Sequence, residues 1–161
     1  MFKLSKQNAK VVHLNPREEK HGEEDVLAVD VKLAADLPNS FLDELAPGLR
    51  AALYMHADQA DIDKDHLAVV RFPQLPAMLW EGAKMEQAIF LIGPTKADSI
   101  EFSADITKIK LAPKDGGTVT VTFTAQILPA PQDVGTLSGW LGQKVKVSVT
   151  PAPMPDDPPV E

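Results

Sequence analysis

"SIEFSADITKIKLAPKDGGTVTVTFTAQI", residues 99–127, decides the fold. Ile100, Phe102, Ala104 and Ile106 share one parity, whereas Ile109 and Leu111 share the other. A strand sends alternate side chains to opposite faces, so this run is a strand whose phase switches near Thr107–Lys108. A β-bulge there, one extra residue in the strand, re-aims the apolar face. "PKDGG" turns the chain, and Val119, Val121, Phe123, Ala125 and Ile127 then alternate with threonines on the way back. The stretch reads as a long β-hairpin with one face made for a core.

The same period recurs upstream and downstream. In "VLAVDVKLA" (26–34), Leu27, Val29, Val31 and Leu33 point one way, and Asp30 and Lys32 the other. "KVVHL" (10–14) is a short strand suited to pair with it. Residues 15–25 are then expected as a solvated connector with Asn-Pro and His-Gly turn signals. "HLAVVRF", "AMLW" and "QAIFLI" are short apolar runs broken by proline and glycine, hence strands with tight connections. "KVKVSVT" (144–150) is a last alternating strand.

Helical signals are few. Asn39 or Ser40 is placed to cap a short helix with Asp43 and Glu44 in its first turn, where the helix dipole favours acids. Pro47 ends that helix or opens a second one over 48–55, and Phe41, Leu42, Leu45, Leu49, Leu53 and Tyr54 form its apolar stripe. Asp133 is placed to cap a helical turn carrying Leu137, Trp140 and Leu141. The expectation is a mainly β protein, an antiparallel β-barrel or β-sandwich of about seven to eight strands with one or two short helices. One domain spans 1–150, and the Pro-rich acidic tail 151–161 is expected to be disordered.

Composition bounds the chemistry. The 161 residues suffice for a real core without staples. Cysteine is absent, which excludes disulfides, thiolate metal sites and cysteine nucleophiles and suits a reducing cytoplasm. No apolar run approaches a membrane span, and the N-terminus lacks the long apolar region of a secretory signal. The formal net charge of −7 is unevenly spread: +3 over residues 1–22, −8 over 23–65, +1 over 66–150 and −3 in the last eleven residues. An acidic body is a poor match for duplex DNA, but a local basic face remains compatible with it.

Three constellations deserve weighing as sites. "HLNPREEKHGEEDV" (13–26) holds His13 and His21 among acids, but the spacing fits no zinc pattern, and a charged connector explains it. "DQADIDKDH" offers Asp61, Asp63 and Asp65 at the first ligand positions of an EF-hand loop; His66 and Phe72 then stand where Gly and Glu are required. Lys108, Lys110, Lys144 and Lys146 lie outward on strands that are candidates for neighbours, with Trp80 and Trp140 as aromatic partners. Such a basic stripe suits a nucleic-acid strand; the plainer reading is solubilising lysines over core aromatics. No nucleophile elbow and no phosphate-binding glycine loop is present. No cofactor or metal is expected, and no enzyme.

"HLNPREEKHGEEDVLAVDVKL", "LDELAPGLRAALY" and "GGTVTVTFTAQILP…GTLSGWLGQKVKVSVTP" resemble a group of small, acidic, uncharacterised proteins encoded by tailed bacteriophages and prophages. The resemblance runs in order across most of residues 11–151 and carries over no catalytic or binding residue. It implies a bacterial cytoplasm during infection and a place among early accessory and recombination genes. The leading expectation is therefore a non-enzymatic phage accessory protein that binds a host or phage protein. Its acidic face (Glu23, Glu24, Asp25, Asp58, Asp61, Asp63 and Asp65) would dock on a basic surface, as an inhibitor of a host defence or nucleic-acid enzyme would. The alternatives are a single-stranded DNA-binding or recombination accessory protein using the lysine stripe, and an oligomeric virion or assembly component.

Overall fold

The computed structural model describes residues 2–56 and 67–152. The strands are β1 (Leu4–His21), β2 (Glu24–Pro38), β3 (Tyr54–Met55), β4 (Val69–Val70), β5 (Met78–Leu79), β6 (Met85–Gly93), β7 (Ile100–Lys114), β8 (Thr118–Ile127) and β9 (Lys144–Thr150). The helices are α1 (Phe41–Leu45), α2 (Leu49–Leu53) and α3 (Pro131–Gly139), with a 3-10 turn at Glu81–Ala83.

Six strands pair antiparallel in the cycle β1–β2–β8–β7–β6–β9 and back to β1. Of the two expected architectures, the closed barrel is the one formed. Closure follows from the patterning. Each of these strands has one apolar face, and joining the first edge to the last encloses all of those faces and leaves no open edge in the wall. Val31, Leu33, Val121, Phe123, Ile106 and Val147 are buried inside the ring. β5 and β6 both pair with β7, β5 at Lys110–Leu111 and β6 over residues 100–106, so they act as one wall strand interrupted by the 3-10 turn.

The phase switch near Thr107–Lys108 is a bulge, as the alternation predicts: the β7–β8 register shifts between Thr107 and Lys110, and Ile109 and Leu111 are buried beyond it. Register also shifts in β1 between Leu4 and Gln7 and in β6 between Met85 and Ala88. Among the described residues, the non-glycine ones with positive φ are Lys6, Gln87 and Lys108, one at each of these shifts.

One end of the barrel is closed by α1 and by Tyr54. Phe41 meets Phe2 edge-on at 5.9 Å, and Phe2 meets Phe123 at 5.2 Å. The buried Tyr54 hydroxyl donates to the Thr118 carbonyl at 2.7 Å and accepts the Lys114 N–H at 3.0 Å, which ties it to both sides of the β7–β8 turn. Burial pushes the Tyr54 pKa above its usual value. Asp115 in that turn accepts the Val70 N–H at 2.9 Å, so β4 is held to the same end.

One expectation is corrected. Residues 15–25 are not a loop: β1 continues through them to His21 and pairs with β2 up to His21↔Glu24, leaving only Gly22 and Glu23 as the turn. Gly22 has φ +67°, the positive value that a tight hairpin assigns to glycine. β2 meets β8 only from Val29 onward, so residues 16–28 form a two-stranded arm projecting past the barrel wall. Of the three short apolar runs, "QAIFLI" forms the wall strand β6, whereas "HLAVVRF" and "AMLW" give only two-residue pairings at β4 and β5. Pro47 does separate two short helices, with Gly48 rather than a polar side chain opening the second.

Candidate nucleic-acid interface

Directly paired residues in antiparallel strands lie on the same face, so the register shows which outward side chains meet. One row runs Lys144↔Lys10↔Ala34↔Thr122↔Lys110, across β9, β1, β2, β8 and β7. The adjacent row runs His13↔Lys32↔Thr124↔Thr107, with Lys108 in the bulge beside Thr107. Lys146 is paired with Asn8, one position from the end of the first row. These six lysines and His13 are exposed. Among the described residues, none of them is in an ion pair. The outward residues between them on the central strands are alanine and threonine, so nothing within the two rows cancels the charge.

The sequence expectation for these lysines is thus partly corrected. β9 and β7 are not neighbours; β6 separates them on one side. Lys144 and Lys146 join Lys108 and Lys110 by the longer way round the barrel, through Lys10 and Lys32. Those two residues were not singled out by the sequence, although Lys32 stands on the outward parity of its strand. Their importance depends on pairings between distant segments, Lys10 with Lys144 and Lys32 with Thr124.

Two grooves meet at Lys108. One, of about 270 Å³, lies over β1, β2, β8 and β7 and is lined by His13, Lys32, Lys108, Lys110 and Thr122, among others, with one carboxylate, Asp30, which is paired with Arg17. The other, of about 640 Å³, runs between β5–β6 and β7 and is lined by Trp80, Glu81, Glu86, Asp105, Thr107 and Lys108, among others. Trp80 is half-buried and packs against the core, and its backbone N–H is fixed to the Ile109 carbonyl at 2.7 Å. Trp140 is also half-buried, at the end of α3, and lines neither groove. The aromatic pair expected from the sequence is therefore split, with only Trp80 beside the lysines.

The acidic candidates fare differently. Glu23, Glu24 and Asp25 are exposed at the tip of the arm. Asp58, Asp61, Asp63 and Asp65 lie outside the described residues. Behind the tip, Glu19 accepts Arg17 at 2.7 Å and contacts His21 at 2.9 Å, while Arg17 also reaches Asp30 at 3.2 Å. The hydrogen bond from Arg17, and then that from His21, holds the Glu19 carboxyl below its usual pKa. These pairs are solvent-screened and stabilise the arm only weakly. His13 and His21 are eight residues apart on one extended strand, roughly 26 Å at strand rise, so they do not converge on a metal. No cluster of metal-ligating side chains occurs among the described residues, and no helix there is long and apolar enough to cross a membrane. No family model, curated protein or solved structure matches the chain.

Proposed function

We propose that this protein is a non-catalytic binding module whose basic outer face grips the backbone of a single-stranded nucleic acid, as a DNA-handling accessory protein in a phage-infected cell. The observation that carries this reading is the in-register row of Lys144, Lys10 and Lys110 flanked by Lys32 and Lys108, free of ion pairs among the described residues. Unpaired ammonium groups on neighbouring strands displace counterions from phosphates, and the threonine hydroxyls between them add donors. The chain's overall charge of −7 repels a polyanion elsewhere, which orients it toward this face. A six-strand barrel is also strongly convex. Duplex DNA, with a persistence length near 150 base pairs, cannot follow such a surface, whereas a single strand can wrap it.

The test is fluorescence anisotropy of a labelled single-stranded oligonucleotide at low salt. Binding is expected, with Lys10→Glu/Lys32→Glu/Lys110→Glu weakening it at least a hundredfold. Equal affinity of that triple variant would remove the basis for the reading.

A second reading is favoured by the arm. Its tip carries Glu23, Glu24 and Asp25 beyond the barrel wall, exposed, with no ion pair formed among the described residues. That arrangement supports docking on a basic protein surface, including inhibition of a host enzyme. Co-purification of a partner with the wild type but not with Glu23→Lys/Glu24→Lys/Asp25→Lys would favour it. The assembly alternative has less support, because barrel closure removes free strand edges from the wall.

A further inference from the structure

Lys108 and Gln87 both adopt positive φ, +54° in each case, and both stand at bulges that flank the larger groove. Left-handed backbone strains a side chain that bears a Cβ. If bending the barrel wall were the sole requirement, glycine would serve at either position without strain. Asp105 links the two bulges: its Oδ1 accepts the Gln87 N–H at 2.9 Å, and its side chain lines the groove. Next to it, the Thr107 hydroxyl is buried with no hydrogen-bond partner. Thr107 lines the same groove. Trp80 forms an apolar wall, fixed to Ile109 immediately after the bulge. The volume of about 640 Å³ falls within the size range of small-molecule sites, roughly 300–1,000 Å³.

We infer that this groove is a pocket for one nucleobase bearing an exocyclic amine, taken from the strand whose phosphates lie on the lysine rows. The inference rests on the strand-binding reading above and deepens it. Charge decides which part of a nucleotide enters. Three acids, Glu81, Glu86 and Asp105, against Lys84 and Lys108 leave the groove with an acidic balance that disfavours a phosphate inside it, and the carboxylates accept hydrogen bonds from the amines of cytosine, adenine or guanine. Thymine offers no such amine. Lys108, lining both grooves, holds the phosphate at the rim while the base lies against Trp80. The strained bulge is what aims Lys108 there.

The test uses the full chain carrying Trp140→Phe, so that Trp80 is the only tryptophan, titrated with oligodeoxycytidylate, oligothymidylate and an abasic strand of equal length. Quenching of Trp80 by the cytidine oligomer is expected, with roughly tenfold tighter binding than for the abasic strand; thymidine falls between the two. Salt-dependent binding of all three strands with equal affinity and unmoved fluorescence would overturn the pocket and leave the backbone grip standing. No binding of any strand would overturn both. A second variant, Lys108→Gly in the wild-type background, relieves the backbone strain. It is expected to unfold at the same or a higher temperature while binding the cytidine oligomer about five- to tenfold more weakly. Undiminished binding by that variant would also overturn the assignment.

Discussion

β2 passes through two settings within fifteen residues. From Val29 to Pro38 it has β1 on one side and β8 on the other, and its side chains alternate between fully buried and outward. From Glu24 to Ala28 it has β1 alone, and the alternation is lost: Glu24 to Leu27 are exposed or half-buried and only Ala28, next to the wall, is buried. The backbone pairing with β1 is continuous, so what differs is the second neighbour and the enclosed core it brings. The wall half is held by burial. The arm half is held by one ladder and by screened ion pairs, and a two-stranded ribbon is marginal without a core.

The largest contrast is expected in the core. Leu33→Ala, inside the wall, should destabilise by about 2–5 kcal/mol in urea unfolding, because it opens a cavity that the ring cannot collapse. Leu27→Ala, in the arm, should cost well under 1 kcal/mol, since its site is already half open to water. Equal costs at the two positions would break the comparison.

Tyr54→Phe sharpens it at the closed end of the barrel. Removing the hydroxyl leaves the part-buried Thr118 carbonyl and Lys114 N–H without this partner, at a cost of about 1 kcal/mol. The same residue sets a pH dependence. Burial raises the folded-state pKa of Tyr54, so its contribution is fully present below the unfolded value and is lost as pH rises through the higher folded one. Wild-type stability should therefore fall in the alkaline range above about pH 10, more steeply than that of the phenylalanine variant.

The smallest effect belongs to the arm. Arg17→Ala should leave global unfolding unchanged and speed amide exchange over residues 17–28 only. The carboxyl of Glu19 is depressed by its partners, so the weak support it gives is present above the ordinary carboxylate pKa. That support is lost as pH falls through the lower folded value. Protection factors over the arm should fall on acidification in the wild type, and less so in the variant, which keeps only the His21 contact to Glu19.

The wall was legible because its strands have a core side. The parity of Ile100 to Ile106, its reversal at Ile109 and the glycines of the turn were enough to specify the hairpin and its bulge. The arm was not legible for the complementary reason. Arg17, Glu19 and His21 on one parity and Glu18 and Lys20 on the other are polar alike, so a ribbon with no buried face presents the same pattern as a loop. Of the candidate interface, Lys108, Lys110, Lys144, Lys146 and Trp80 were visible as outward cations and an aromatic. Lys10 and Lys32, which join them, depend on register. The groove depends on it further, since Trp80, Asp105 and Thr107 meet only once β5, β6 and β7 are aligned.

The salt dependence of oligonucleotide binding tests the central claim most directly. Phosphate contacts by Lys10, Lys32, Lys108, Lys110, Lys144 and Lys146 should give a slope of log K against log salt of about −4 for a single strand, near 0.7 per neutralised phosphate. Lys10→Glu/Lys32→Glu should flatten that slope by at least one. An affinity indifferent to salt, or a slope unchanged in the double variant, would contradict the account.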